Sequence, residues 1–362
     1  MAFTLIDLLG VAIKNHASDL HLLEGVPPVL RVNGEITVAN SDPLTVSTLE
    51  QLLLTDLSEE KKRTLEDELQ LCYSLKIPNL GYFRVSIYYE QGVIGAAIRI
   101  GITELVTLEE LGLPSIVAEL TRRPSGLILI TGPTGSGKTT TLNSMIDLIN
   151  RDRCCKIIMV EDPIEYIHSN KRSIVVQQEV HTDTHSFDKA LIHILRQDPN
   201  VVAVGEMRDL ETISTALTAA ETGHLVISTL HTPDAAQTVD RIIDVFPPAQ
   251  QNQVRMQLAS SLEAVICQQL LPRIDKPGRV LATEIMLGNA AVKNIIRENK
   301  TQSLYNVIST GQTQQMQSMD WCLRNLYQQG IITYDTAATR ARTTAEFRSI
   351  SSPDMTVPIN GT

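Results

Sequence analysis

The stretch "GPTGSGKT", residues 132 to 139, constrains this chain more than any other. An unbroken apolar run, "GLILIT", precedes it, and a segment read as a helix starts at Lys138. A strand, a glycine-rich turn and a helix with G-x-x-x-x-G-K-[ST] spacing make a phosphate-binding loop. Gly132, Gly135 and Gly137 let the backbone turn sharply and aim its N–H groups inward, and the helix N-terminus adds positive potential. Pro133, Thr134 and Ser136 complete the loop. Lys138 is expected to reach the β- and γ-phosphates and the Thr139 hydroxyl to hold Mg²⁺, with Thr140 following. ATP and Mg²⁺ are therefore the expected cofactors.

Around this loop strands and helices alternate. "KIIMVED" reads as a strand, "SFDKALIHILRQDP" as a helix with Ser186 as N-cap, "NVVAVGE" as a strand, "DLETISTALTAAET" as a helix and "GHLVISTLH" as a strand. That alternation predicts an α/β fold, a parallel sheet with helices on both faces. The first hundred residues differ. A helix over 4–15 precedes the strand "SDLHLLEG", and Asn33-Gly34 marks a hairpin. Two helices over 46–69 and two strands around Gln91-Gly92 follow. This order predicts a smaller α+β domain on an antiparallel sheet. The expected layout is an N-terminal domain over 1–102, a linker over 103–114, the nucleotide-binding domain over 115–290, C-terminal helices over 291–350 and a polar tail over 351–362 that is expected to be disordered.

Strand ends on the carboxyl edge of such a sheet face the ligand. Glu206 ends "VVAVGE", where Asp is usual, and Glu165 follows "IIMVED" closely. Either carboxylate suits Mg²⁺ or the attacking water, and sequence leaves the base as one or the other. A solvated acidic loop is the alternative for Glu165. Arg196 and Arg208 flank the Glu206 strand and would neutralise phosphate charge, although surface arginines read the same way. His224 and His231 open and close one strand seven residues apart, so they are not a metal pair; each senses phosphate or a neighbouring subunit, or is structural. "HTDTH" at 181–185 reads as a loop and cap rather than a metal site, and Cys154-Cys155 as buried filler.

Composition excludes several classes. With 31 Lys plus Arg against 41 Asp plus Glu, the net charge is −10, which argues against nucleic acid as a partner. The five cysteines form no C-x-x-C pair, as expected in a reducing compartment. No signal peptide is read, and no apolar run approaches the roughly 18 residues of a membrane helix. A cytoplasmic protein without direct membrane insertion is expected.

Taken in order, "ASDLHLLEGVPPVLRVNGEI", "GPTGSGKTT", "EDPIEY", "LRQDPNVVAVGEMRDLETISTALTAAETGHL" and "GHLVISTLHT" span most of the chain. Together they resemble the type IV pilus retraction ATPases, the PilT/PilU branch of the secretion ATPase superfamily. The resemblance implies a PAS-like N-terminal domain and a RecA-like core assembled as a homo-hexamer, with nucleotide held between the domains. It places the family's acidic-box carboxylate on Glu165 and its histidine-box residues on His224 and His231. It accounts for a strand ending in Glu206 and adds Arg84 and Arg99 as nucleotide-closing arginines. The implied partners are an inner-membrane platform protein of the PilC type and a PilU-like paralogue. The chain carries no four-cysteine zinc module, which separates it from the pilus-assembly and type II secretion branches. Its "AVKNIIRE" at 291–298 is close to the retraction motif "AIRNLIRE", with departures at Val292, Lys293 and Ile295. "VVQQEV" at 175–180 departs from an expected "VNQREV", with Val176 for Asn and Gln178 for Arg. An accessory motor and a nucleotide-binding scaffold without turnover are the alternatives.

Overall fold

The computed structural model describes residues 3–32, 34–78, 80–101 and 105–342. Asn33 of the expected hairpin turn, the first linker residues, the last stretch of the C-terminal region and the 351–362 tail lie outside the described residues. The chain divides into two compact units, Met1–Leu105 with Asp162–His168, and Val106–Glu161 with Ser169–Thr362. Among the described residues no helix is long and apolar enough to cross a membrane.

In the first unit, α1 (Leu5–Lys14) starts in a capping box: Asp7 N donates to the Thr4 hydroxyl and Thr4 N to the Asp7 carboxylate. Then come β1 (Ala17–Leu22), β2 (Val29–Val32), β3 (Glu35–Val38), α2 (Val46–Leu54), α3 (Glu59–Glu68), β4 (Gln70–Ile77), β5 (Gly81–Glu90) and β6 (Val93–Ile100). The six strands form one antiparallel sheet in the order β3-β2-β1-β6-β5-β4. Gln91 and Gly92 join β5 to β6 with φ of 53° and 86°, the left-handed pair that matches strand twist in a tight hairpin. The helices pack on β1, β6 and β4 around Leu9, Leu20, Leu49, Phe83 and Ile98.

The second unit runs α4 (Ser115–Leu120), β7 (Gly126–Thr131), α5 (Lys138–Asp152), β8 (Lys156–Glu161), β9 (Ile174–Glu179), α6 (Phe187–Ile194), β10 (Val201–Val204), α7 (Leu210–Glu221), β11 (Leu225–Leu230), α8 (Ala235–Asp244), α9 (Pro248–Ser261), β12 (Leu262–Pro272) and β13 (Arg279–Leu287). Short helices α10 (Ala290–Arg297), α11 (Leu304–Thr310), α12 (Met319–Gln328) and α13 (Tyr334–Arg340) close the described chain. The sheet order is β13-β12-β7-β11-β10-β8-β9, parallel throughout except where β13 returns antiparallel beside β12. Every residue of β7, β10 and β11 is buried, because helices cover both faces. Ile128 and Ile130 pack towards Met145 and Ile149 of α5, whereas Leu127 and Leu129 share a core with Ile213, Leu217 and Leu258 of α7 and α9.

The edge strand β9 is blunted by side chains. Its outward N–H groups at Val175 and Glu179 donate to Asn170 Oδ1 and Asp183 Oδ2, both at 2.9 Å, which leaves little backbone for another strand to pair with.

Candidate active site

The parallel strands all point one way, so β7, β10 and β11 deliver their following loops to one edge of the sheet. The phosphate loop follows β7. Gly132 has φ +139°, and a Cβ there would stand 2.3 Å from the Gln268 carbonyl oxygen of β12, so no side chain fits. Gly137, at φ +89°, is the left-handed residue that starts α5. The Ser136 hydroxyl within the loop is buried and has no hydrogen-bond partner among the described residues, a donor set aside for a ligand.

Lys138 is the first residue of α5 and only 8% exposed. Its ammonium donates to the carbonyls of Gly132 (2.8 Å) and Pro133 (3.1 Å) and lies 3.4 Å from His231 Nδ1. Thr134 Oγ1 lies 3.5 Å from the same nitrogen. Burial pushes the Lys138 pKa down, and the Glu206 charge opposes that shift. An ammonium facing Nδ1 makes that nitrogen the acceptor, so the hydrogen-bond network assigns the proton to Nε2, which donates to Glu206 Oε1 at 3.1 Å. Arg208 holds Glu206 Oε2 at 2.7 Å. The result is one chain, Lys138–His231–Glu206–Arg208, across the ends of three elements.

The sequence "VGEMRD" builds this local geometry residue by residue. Gly205 N donates to Val160 O at 2.8 Å, and Gly205 O accepts from the Thr229 hydroxyl at 2.6 Å, so the chain is pinned to β8 and β11 just before Glu206. Met207 is buried and Arg208 exposed. Asp209 caps α7 by accepting from Thr212 N at 2.8 Å. Burial alone would raise the Glu206 pKa; the Arg208 hydrogen bond, the His231 ring and the Arg208 charge outweigh it and hold the carboxylate below its ordinary value.

A second cluster lies in the first unit. Arg84 of β5 and Arg99 of β6 are register partners, and Glu165 is in the Asp162–His168 segment of the same unit. Burial raises the Glu165 pKa, and the charges of Arg99 and then Arg84 moderate it. Arg99 Nε also donates to Asp19 Oδ1 at 3.2 Å across β1 and β6. Asp19 had no role in the sequence reading, although it lies in the quoted "ASDLHLL".

Two expected site residues are placed away from this edge. His224 and Arg196 precede β11 and β10, so both stand at the amino edge, about 20 Å of strand from His231 in the case of His224. His224 Nδ1 lies 3.0 Å from the Ala219 carbonyl and 3.3 Å from the Thr222 hydroxyl, a local structural bond. Arg196 is exposed at the end of α6. Ser186 takes its expected N-cap position but bonds Asp188 instead of the helix backbone. Among the described residues no group of three or more His, Cys, Asp or Glu is placed to hold a metal. The conditions for Mg²⁺ are different: it keeps waters and phosphate oxygens and needs few protein oxygens, which Thr139 at the start of α5 and an ionised Glu206 offer.

The departures from the retraction motif fall on the inner face of α10. Val292 is buried, Ile295 packs against the core, and Lys293 Nζ donates to Ser260 O at 3.1 Å. The exposed residues Ala291, Asn294, Arg297 and Glu298 match the motif. Val176 packs on the core beneath β9, which suits an apolar residue; nothing in the structure explains Gln178.

A family model described as Type II/IV secretion system protein matches residues 96–337. The chain is similar to the Type IV pilus retractation ATPase PilT of Pseudomonas aeruginosa, 43% identical over 341 residues that cover 94% of this chain and 99% of that protein. It is 38% identical to the Type IV pilus ATPase PilU of the same organism, over 94% of this chain and 89% of that one. A crystal structure of the pilus retraction motor PilT with bound ADP superposes with a TM-score of 0.88 at 46% identity, covering 95% of this chain and 98% of that one.

Proposed function

This chain belongs to the Type II/IV secretion system protein family, and on that premise we propose that it is an ATP-hydrolysing hexameric motor that drives type IV pilus retraction. The observation that carries the reading is the hydrogen-bonded chain from the phosphate-loop lysine through His231 to Glu206, on a fold shared with a retraction motor that binds ADP.

The two carboxylates divide the work by their environments. Glu206, held ionised by Arg208 and His231, supplies fixed negative charge and, with Thr139, the protein oxygens for Mg²⁺. Bound Mg²⁺ would neutralise charge developing on the β- and γ-phosphates. Glu165, whose burial raises its pKa, is the better proton acceptor for the attacking water. The charges of Arg99 and Arg84 oppose that shift. Lys138 exchanges its bonds to the loop carbonyls for phosphate oxygens, and His231, which bonds both Lys138 and Glu206, reports that exchange to the carboxylate. The force acts on pilins through an inner-membrane platform protein of the PilC type, so the motor works on the cytoplasmic side without entering the membrane, beside any PilU-like paralogue.

The higher identity to PilT than to PilU, 43% against 38%, and the matching exposed face of α10 favour the motor over the accessory reading. Deleting the gene is expected to abolish pilus retraction, scored by retraction of labelled pili. Unchanged retraction would contradict the proposal.

A further inference from the structure

The Asp162–His168 segment that carries Glu165 leaves the α/β unit after Glu161 and rejoins it at Ser169. Both of its roots are held. At the first, Glu161 ends β8 at 3% exposure and accepts from Gln177 Nε2 at 2.9 Å. At the second, the last turns of α5 grip the chain just past the segment. Asn150, fully buried, donates from Nδ2 to Ser169 O at 2.8 Å and accepts from Lys171 N at 3.1 Å. Its own carbonyl accepts from Arg172 N at 2.9 Å. One turn earlier, Asp147 binds both the Lys171 ammonium and the Arg151 guanidinium while only 8% of its side chain is exposed. The same helix begins at Lys138, 12 residues before Asn150 and about 18 Å along its axis.

We propose that Asp147, Asn150 and Lys171 are positioning residues for hydrolysis, with α5 as a strut that fixes the root of the Glu165 segment to the phosphate loop. This rests on the reading of Glu165 as the residue that receives the proton of the attacking water. Loss of either root frees the backbone that carries Glu165. Misplacement by about 1 Å costs roughly a hundredfold in rate. The ion pair is not surface decoration, because Asp147 is nearly buried. Asp147 also keeps Arg151 when Lys171 is replaced, so no buried carboxylate is stranded and folding is preserved.

The test compares the full chain with Lys171→Met, Lys171→Arg, Glu165→Gln and the double variant Lys171→Met/Glu165→Gln. It reads kcat with Mg-ATP, equilibrium ATP affinity and the thermal midpoint. Lys171→Met is expected to lower kcat about tenfold or more with ATP affinity unchanged, and Lys171→Arg to restore most of it. In the Glu165→Gln background, Lys171→Met is expected to add nothing, since both changes act on the same step. A kcat for Lys171→Met within twofold of wild type overturns the inference, as does an equal loss in the two backgrounds. Full turnover in Glu165→Gln would instead remove the role of Glu165 and this inference with it.

Discussion

Glu206 and Glu165 look alike in sequence, and their surroundings set them apart. Glu206 accepts from Arg208 and His231 and is held below the ordinary carboxylate value; Glu165 is buried and raised, with Arg99 and Arg84 moderating the shift. Environments that push two carboxyls in opposite directions suit them to the different roles proposed above. A raised pKa means that the base form is lost on acidification above the usual carboxylate range, so the acid limb of the kcat–pH profile lies higher than an exposed Glu would place it. Arg99→Gln removes charge that lowers this pKa and is expected to move the limb further up. Glu165→Gln is expected to cut kcat about 10²- to 10⁴-fold. Lys138→Ala is expected to weaken ATP binding by about 1.5–3 kcal/mol, the worth of a hydrogen bond to a charged group, in equilibrium titration.

At the scale of elements, the phosphate loop is the most constrained joint. Gly132→Ala places a methyl group 2.3 Å from the Gln268 carbonyl, and its expected effect is loss of ATP binding with a lowered thermal midpoint. Glu284 of β13 joins two other elements: its buried carboxylate accepts from Ala235 N at the start of α8 and from Met319 N at the start of α12. Burial raises its pKa, so the folded state holds its proton more tightly than the unfolded chain. That stability is fully present below the ordinary Glu value and is lost as pH rises through the raised folded value. The stability difference between wild type and Glu284→Gln is therefore expected to shrink as pH rises, measured by denaturant melts. The elements that sequence made legible were those with clean punctuation: the strand–glycine–helix of β7 and α5, the all-apolar β10, and the Gln91-Gly92 hairpin. β4 carries no turn signal in the sequence, because Leu69, not Gly, supplies the left-handed residue between α3 and the strand. β9 carries no plain strand signal, because its second half reads "QQE" and its edge is protected by the Asn170 and Asp183 side chains. His224 and Arg196 stand apart from the phosphate loop for a topological reason: a residue before a parallel strand lies at its amino edge. Lys138, Glu206 and His231 come together because each follows its strand. Their hydrogen-bonded chain was not legible, since it links positions 138, 206 and 231.

At the scale of the molecule, the chain passes from one unit to the other three times, after Leu105, Glu161 and His168, and the short middle visit carries Glu165. The proposed hexamer is expected to appear as a sixfold mass in analytical ultracentrifugation with Mg-ATP. All of this depends on whether the Glu206 site turns ATP over. The most direct measurement sets steady-state ATP hydrolysis by the purified wild type and Glu206→Gln beside their equilibrium ATP affinities. The expected result is steady turnover by wild type, and ATP binding of unchanged affinity with turnover reduced about a hundredfold or more in Glu206→Gln. No turnover by wild type, or equal turnover in the two, would contradict the account.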